Sequence, residues 1–209
     1  MFRNIRKPLA LLLAIATALM IMPAFAETVT VDELLGTLEG ETYTNTFLGL
    51  GCDLSGMHFN TKEEIETINN LTKTLLTEDV AAMADANITV MMAEAQGSQQ
   101  SLMIQVQNMK EYAATYRTIG LKAIAEALLS QYVSMFEAQG MTDVQLTVAD
   151  QDIGGQTFTS YNMDYNYLGL HMYTRQVWML KDDYIVYITA TSASENTKDE
   201  LFTRFFLLQ

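Results

Sequence analysis

The stretch from Gly169 to Thr191, GLHMYTRQVWMLKDDYIVYITAT, constrains the fold more than any other part of the chain. Two runs rich in Tyr, Val, Ile, Trp and Thr are joined at Lys181-Asp182-Asp183. Those residue types suit a pleated surface. The join is short, polar and acidic, which is turn chemistry. The pattern predicts a long antiparallel hairpin at the centre of a sheet. Strict alternation puts His171, Tyr173, Val177 and Met179 on one face of the first strand, and Leu170, Met172, Trp178 and Leu180 on the other. A strand with large residues on both sides belongs in a sheet covered on both faces.

Around this hairpin the chain reads as short β and α segments. Residues 27–41 are acidic, with Leu34, Leu35 and Leu38 as apolar points, and read as a short helix or a loose N-terminal arm. Strands follow over about 42–47 and 50–54. Asn60 or Thr61 with the acids after it forms a capping box, and Ile65, Ile68, Leu71, Leu75 and Leu76 continue as a helical stripe over about 61–77. Ile88–Ala95 and the alternating Leu102, Ile104 and Val106 read as strands around a polar turn at Gln96–Gln100. Met109–Gln139 carries two helical stripes, and Gly120 either breaks this helix or sits in one that packs on two surfaces. Val144–Ala149 and Thr157–Tyr165 read as strands around a turn at Asp150–Gly155. A last helix is expected over Thr197–Leu208, opened by Thr197-Lys198-Asp199-Glu200 and faced with Leu201, Phe202, Phe205 and Phe206. The order β-β-α-β-β-α-β-β-β-β-α with short turns predicts an α+β fold. A mostly antiparallel sheet would be covered by helices on both faces, an α/β/α sandwich. No linker or repeat interrupts 42–209, which reads as a single domain.

The first 26 residues read as something else. Arg3, Arg6 and Lys7 precede an apolar run from Leu9 to Met22, then Pro23 and the small-residue pattern Ala24-Phe25-Ala26. That is a secretory signal peptide over 1–26, its apolar run shorter than the roughly 20 residues of a membrane span. An uncleaved anchor is the competing reading. Cleavage after Ala26 would leave no stable membrane span. It would also leave nine basic against 25 acidic residues, a formal charge of −16. Such a surface repels nucleic acid and anionic lipid heads. With Cys52 as the lone cysteine the exported chain has no internal disulfide and must be held by its core. The apolar setting of Cys52, LGLGCDLS, marks it as buried rather than reactive.

Catalytic and metal signals are weak. Nucleophilic catalysis wants a His partner, and the two histidines, His58 and His171, stand apart from any nucleophile-elbow pattern. Asp150-Gln151-Asp152-Ile153-Gly154 puts Gly where a calcium loop needs its third ligand, so it reads as a turn. Zinc-ligand spacing is absent. Paired carboxylates of the glycosidase kind have no specific signature among 25 acids. Methionines alternate with apolar neighbours, as core filling does. No catalytic, cofactor-binding or metal-binding residue is therefore assigned, and no cofactor. Tyr161, Tyr165, Tyr167 and Tyr173 with Asn162 and Asn166 could build a binding face. Cross-strand aromatic packing explains them more simply. If a binding face exists, the uncovered ends are the place for it: an Asn162–Tyr167 loop and the Asp182-Asp183 turn.

One family shares this order of elements. The opening hairpin with Tyr43-Thr44-Asn45 and Leu48-Gly49-Leu50 is followed by the capped helix at Asn60 and the Ile153-Gly154-Gly155 turn. The Arg175–Trp178 and Tyr184–Thr189 strands and a short aromatic C-terminal helix complete it. In that order and spacing, over about 42–208, the chain resembles the PsbP-like fold family, which includes PsbP and DcrB-like exported bacterial proteins. The resemblance implies an α/β/α sandwich, accessory or protein-binding roles and no shared catalytic set. The expected function is an exported, non-enzymatic accessory or binding protein of the cell envelope or extracellular space. Its expected partner is another envelope protein or a surface component. The alternative is a small extracytoplasmic hydrolase whose site assembles only in three dimensions.

Overall fold

The computed structural model describes residues 34–67, 87–96, 99–109 and 112–208. The leader over 1–26 and the second half of the helix expected over 61–77 lie outside them. Among the described residues eleven strands form two antiparallel sheets. Strands β1 (Thr37–Glu39), β2 (Thr42–Asn45), β3 (Leu50–Asp53) and β11 (Phe205–Leu207) form the smaller sheet, in that order. The larger sheet holds β4 (Met57–Phe59), β5 (Asn87–Ala95), β6 (Ser101–Asn108), β7 (Thr142–Ile153), β8 (Gln156–Tyr167), β9 (Leu170–Lys181) and β10 (Tyr184–Ser192). Its strand order is β4-β5-β6-β10-β9-β8-β7, so β10 is the middle strand. Every residue of β10 is buried, as a central strand with two covered faces requires.

The helices start and stop where local chemistry says. At α1, helical over 62–67, Glu64 N donates to Thr61 Oγ1 at 3.3 Å and Thr61 N donates to the Glu64 carboxylate at 2.8 Å. This is the expected capping box, with Thr61 as its first member. Gly120, at φ 88, breaks the long helical tract into α2 (Ala113–Ile119) and α3 (Leu121–Ala138). The last helix, α4, spans Glu195–Phe202 and is capped by Ser194, whose side chain accepts from Thr197 N.

Alternation along β9 sorts its side chains as expected. Met172 and Trp178 enter the core on the α3 side, with Tyr132, Phe136, Tyr161, Tyr165 and Tyr187. Val177 and Met179 enter the core on the opposite side, with Leu50, Cys52, Ile188, Leu201 and Phe205. That second face carries the main departure from expectation. Among the described residues its cover is the four-stranded sheet, with α4 resting on β9 and β10 beside it. The cause lies at the C-terminus. The expected helix over Thr197–Leu208 ends at Phe202, and Phe205–Leu207 pairs with β3 in the register Phe205↔Cys52 and Leu207↔Leu50. Asp53 N donates to Arg204 O at 3.0 Å, and the Arg204 guanidinium donates to Ser55 O at 2.8 Å. These bonds pin the chain to the small sheet before a further helical turn can form. A second correction concerns Asp150–Gly155. Asp150 and Asp152 stay in β7, opposite Thr159 and Thr157, and the turn is confined to Gly154–Gly155, with φ 59 and 83.

Candidate functional site

Two hairpins meet in the middle of the large sheet, and they do not stay together. β8 and β9 pair from Tyr167↔Leu170 as far as Thr159↔Trp178. Beyond that pair, Gln156–Phe158 remains bonded to β7 on one side and Met179–Lys181 to β10 on the other. Each hairpin tip is tied to a different layer. The β7–β8 tip lies against the small sheet, where a Cβ on Gly154 would come within 3.3 Å of Leu207 Cγ. The β9–β10 tip is held from the helical side. Arg117 of α2 donates to Asp182 O and lies 3.6 Å from the Asp183 carboxylate, while Met109 N donates to Asp183 O at 2.6 Å. Strands drawn toward opposite layers must part.

A cleft of about 510 Å³ fills the fork. That volume lies in the range of small-molecule and peptide pockets, roughly 300–1,000 Å³. Leu48, Gly49, Leu207 and Leu208 border it from the small sheet and Leu121 from the start of α3. Phe158, Trp178, Met179 and Leu180 supply apolar surface from the strands themselves. Gln156, Thr157 and Thr159 add neutral polar groups, and Lys181 is the one ionisable residue of the lining. Its ammonium stands 3.9 Å from Asp182 at the turn. Trp178 is the best-anchored of these groups. Its indole N–H donates to Gln176 Oε1 at 3.0 Å, and its ring meets Tyr161, Tyr187 and Tyr132 edge-on at 4.9, 5.5 and 6.1 Å. Among the described residues the cleft is therefore lined by apolar side chains, neutral polar groups and one cation, Lys181.

The far end of the same strands is polar. His171 turns one ring nitrogen to Asp164 at 2.8 Å and the other to Asn166 Oδ1 at 2.8 Å. Asn166 Nδ2 donates in turn to Asp143 at 2.7 Å, and Tyr173 stacks edge-on against His171. Nearby, the Arg175 Nε donates to Asn162 Oδ1 at 2.8 Å and its guanidinium reaches the Asp199 carboxylate at 3.0 Å. Both nitrogens of His171 are engaged by Asp164 and Asn166, so among the described residues it activates no hydroxyl or thiol. His58 faces Glu64 at 3.7 Å on the opposite border of the sheet. Among the described residues no three His, Cys, Asp or Glu side chains converge in a way that could hold a metal ion.

The residues singled out in the sequence are redistributed by the pleat. Asn162–Tyr167, expected as a loop, is strand β8, and the turn falls at Leu168–Gly169. Tyr161 and Tyr165 enter the helical core, where the Tyr161 hydroxyl donates to Ala125 O at 2.6 Å. Asn162 and Asn166 lie on the other face, and only Tyr173 joins them there, so the aromatic and amide groups do not form one surface. Burial pushes the Tyr161, Tyr132 and Tyr187 phenols well above their ordinary range, and Tyr165 up to about 12. Cys52 is buried against the small sheet, and burial raises its thiol to about 12. The cleft residues drew no attention in the sequence, because Gln156, Thr157, Leu207 and Leu208 belong to no motif. The Asp182-Asp183 turn, expected as an uncovered end, does border the cleft through Lys181.

An antiparallel α+β protein with an open cleft of mixed polar and apolar lining in its main sheet is the class that fold and site define. No protein-family model matches the chain, and no curated protein matches it. Among solved structures, it is similar to CyanoP, the cyanobacterial PsbP from Synechocystis sp. PCC 6803, determined in solution. Identity is 11%, the TM-score is 0.49, and the match covers 83% of this chain and 98% of that one. At 11% identity no residue role is carried across.

Proposed function

We propose that this is an exported, non-enzymatic binding or accessory protein of the cell envelope or extracellular space, and that the β8–β9 cleft is its binding site. The composition of the cleft wall carries this reading. Apolar side chains, two threonines, one glutamine and one lysine suit recognition, and the lining holds no acid–base pair. The leader over 1–26 supports export, and the domain expected over 42–209 is to be read as also taking in Leu34 and β1, which the expected arm over 27–41 contributes to the core and the small sheet. No helix among the described residues is long and apolar enough to cross a membrane. The excess of acidic residues disfavours nucleic acid and supports a protein or surface component as partner. The hydrolase alternative has one observation in its favour, the His171–Asp164 contact, but Asn166 occupies the ring nitrogen that a nucleophile would need.

The test is chemical cross-linking in the cells that make the protein, followed by capture from their envelope. A specific partner is expected with the native chain and not with Thr157→Phe, which fills the cleft. Equal capture by both would remove the cleft from the account. Turnover of a glycan or peptide library without any partner would reverse the choice in favour of the hydrolase. N-terminal sequencing of the recovered protein is expected to begin at Glu27, and an intact Met1 would contradict export by cleavage.

A further inference from the structure

The strand edges that face each other across the fork narrow what can fill it. We propose that the cleft takes an extended segment of a partner polypeptide, of mixed aliphatic and small polar side chains and bearing one carboxylate, laid between β8 and β9 as an added strand. This rests on the reading of the cleft as the binding site and names its occupant. Gln156–Phe158 and Met179–Lys181 each have one paired edge and one edge open to the cleft. An antiparallel strand directs its backbone N–H and C=O groups alternately to its two sides, so each open edge presents such groups to the cleft. Backbone polar groups in a partly enclosed space need partners. An extended peptide carries donors and acceptors along both of its own edges and answers both strands at once.

The side walls agree with a strand as occupant. Side chains of an inserted strand alternate between two faces. One face would meet Leu121 on the helical side, the other Leu48, Leu207 and Leu208 on the small-sheet side. Apolar and neutral polar side chains line the cleft together, so the inserted side chains should be a mixture of aliphatic and small polar ones. Charge sets the exception. Lys181 is the one ionisable lining residue in a chain of net charge −13, so a single carboxylate at that end is matched.

Trp178 is the only tryptophan of the chain and one of the residues lining the cleft, so its fluorescence senses a change of packing there. The probe is the acetylated, amidated hexapeptide Val-Thr-Val-Glu-Val-Thr, titrated into the protein as recovered from its own cells. Comparison probes are the same peptide N-methylated at alternate residues, its Glu-to-Gln form, and decanoate. The hexapeptide is expected to shift Trp178 emission saturably, and alternate N-methylation to weaken binding about tenfold or more through lost main-chain hydrogen bonds. Lys181→Glu should weaken the acidic peptide about threefold to fivefold more than it weakens the Gln form, as expected of an exposed ion pair reversed in sign. Binding indifferent to N-methylation, or decanoate binding at least as tightly as the peptide, overturns strand insertion while leaving the cleft as a binding site. Silence from the hexapeptide also overturns it. Equal partner capture by the native chain and Thr157→Phe removes the underlying reading of the cleft.

Discussion

Trp178 belongs to the core and to the cleft at once. It is 1% exposed with its ring wedged among three tyrosines, and it is also one of the residues lining the fork where β8 leaves β9. Trp178→Phe keeps an aromatic ring but strands Gln176 Oε1 without its donor. The expected loss is about 1–3 kcal/mol in a urea unfolding curve, the cost of an unsatisfied buried acceptor plus lost volume. The tyrosines around it make a separate prediction. Burial raises the phenols of Tyr43, Tyr132, Tyr161, Tyr165 and Tyr187 above their ordinary value of 10.0. A raised folded value means that the folded chain holds these protons more tightly than the unfolded chain does. The stabilisation is therefore complete below the ordinary value and is lost as pH climbs past it toward the folded values. Each such phenol contributes a slope of about 1.4 kcal/mol per pH unit in that window. Phenolate absorbance from these residues should appear only together with the loss of near-ultraviolet circular dichroism. Smooth titration near the ordinary value with the fold intact would contradict their burial.

Elements with a clear period were legible in the sequence. The β9–β10 hairpin, the α1 capping box and the break at Gly120 each follow from local chemistry, and the structure places them where that chemistry points. The C-terminal segment was not, because its two halves obey different periods. Leu201 and Phe202 suit a helix, but Phe205 is buried and Phe206 exposed, an alternation set by pairing with β3 more than 150 positions earlier in the chain. No local signal announces that pairing, except Gly51. A Cβ on Gly51 would sit 2.3 Å from the Phe206 ring, so β3 and β11 pack closely only because that position has no side chain. Gly51→Ala should destabilise the protein by about 1–3 kcal/mol through overpacking. In a Phe206→Ala background the same substitution should cost little, a non-additivity expected of touching residues. Additive losses in thermal unfolding would show that the contact is not what holds β11 in place.

At the scale of the molecule, hydrophobic alternation is enough to foretell a covered antiparallel sheet, and not enough to say what covers it. Val177 and Met179 ask for apolar neighbours on the second face, and both a helix and a small sheet satisfy them. The candidate site was hidden for a related reason. Its existence depends on where β8 stops pairing with β9, and that depends on Leu207 at one tip and on Arg117, 65 positions before Asp182, at the other. Loss of the helical tie by Arg117→Ala should let the β9–β10 tip relax toward β8 and quicken amide exchange at Asp182 and Asp183. Unchanged exchange there would mean that Arg117 does not hold the fork open. The claim on which the functional reading stands is that partners enter this fork. A photo-reactive benzoylphenylalanine at Thr157, inside the cleft, is to be compared in living cells with one at Gln145, exposed on β7 away from it. Illumination is expected to cross-link a discrete partner from Thr157 and none from Gln145. A partner captured from Gln145 alone, or no capture from Thr157, would place the binding surface elsewhere.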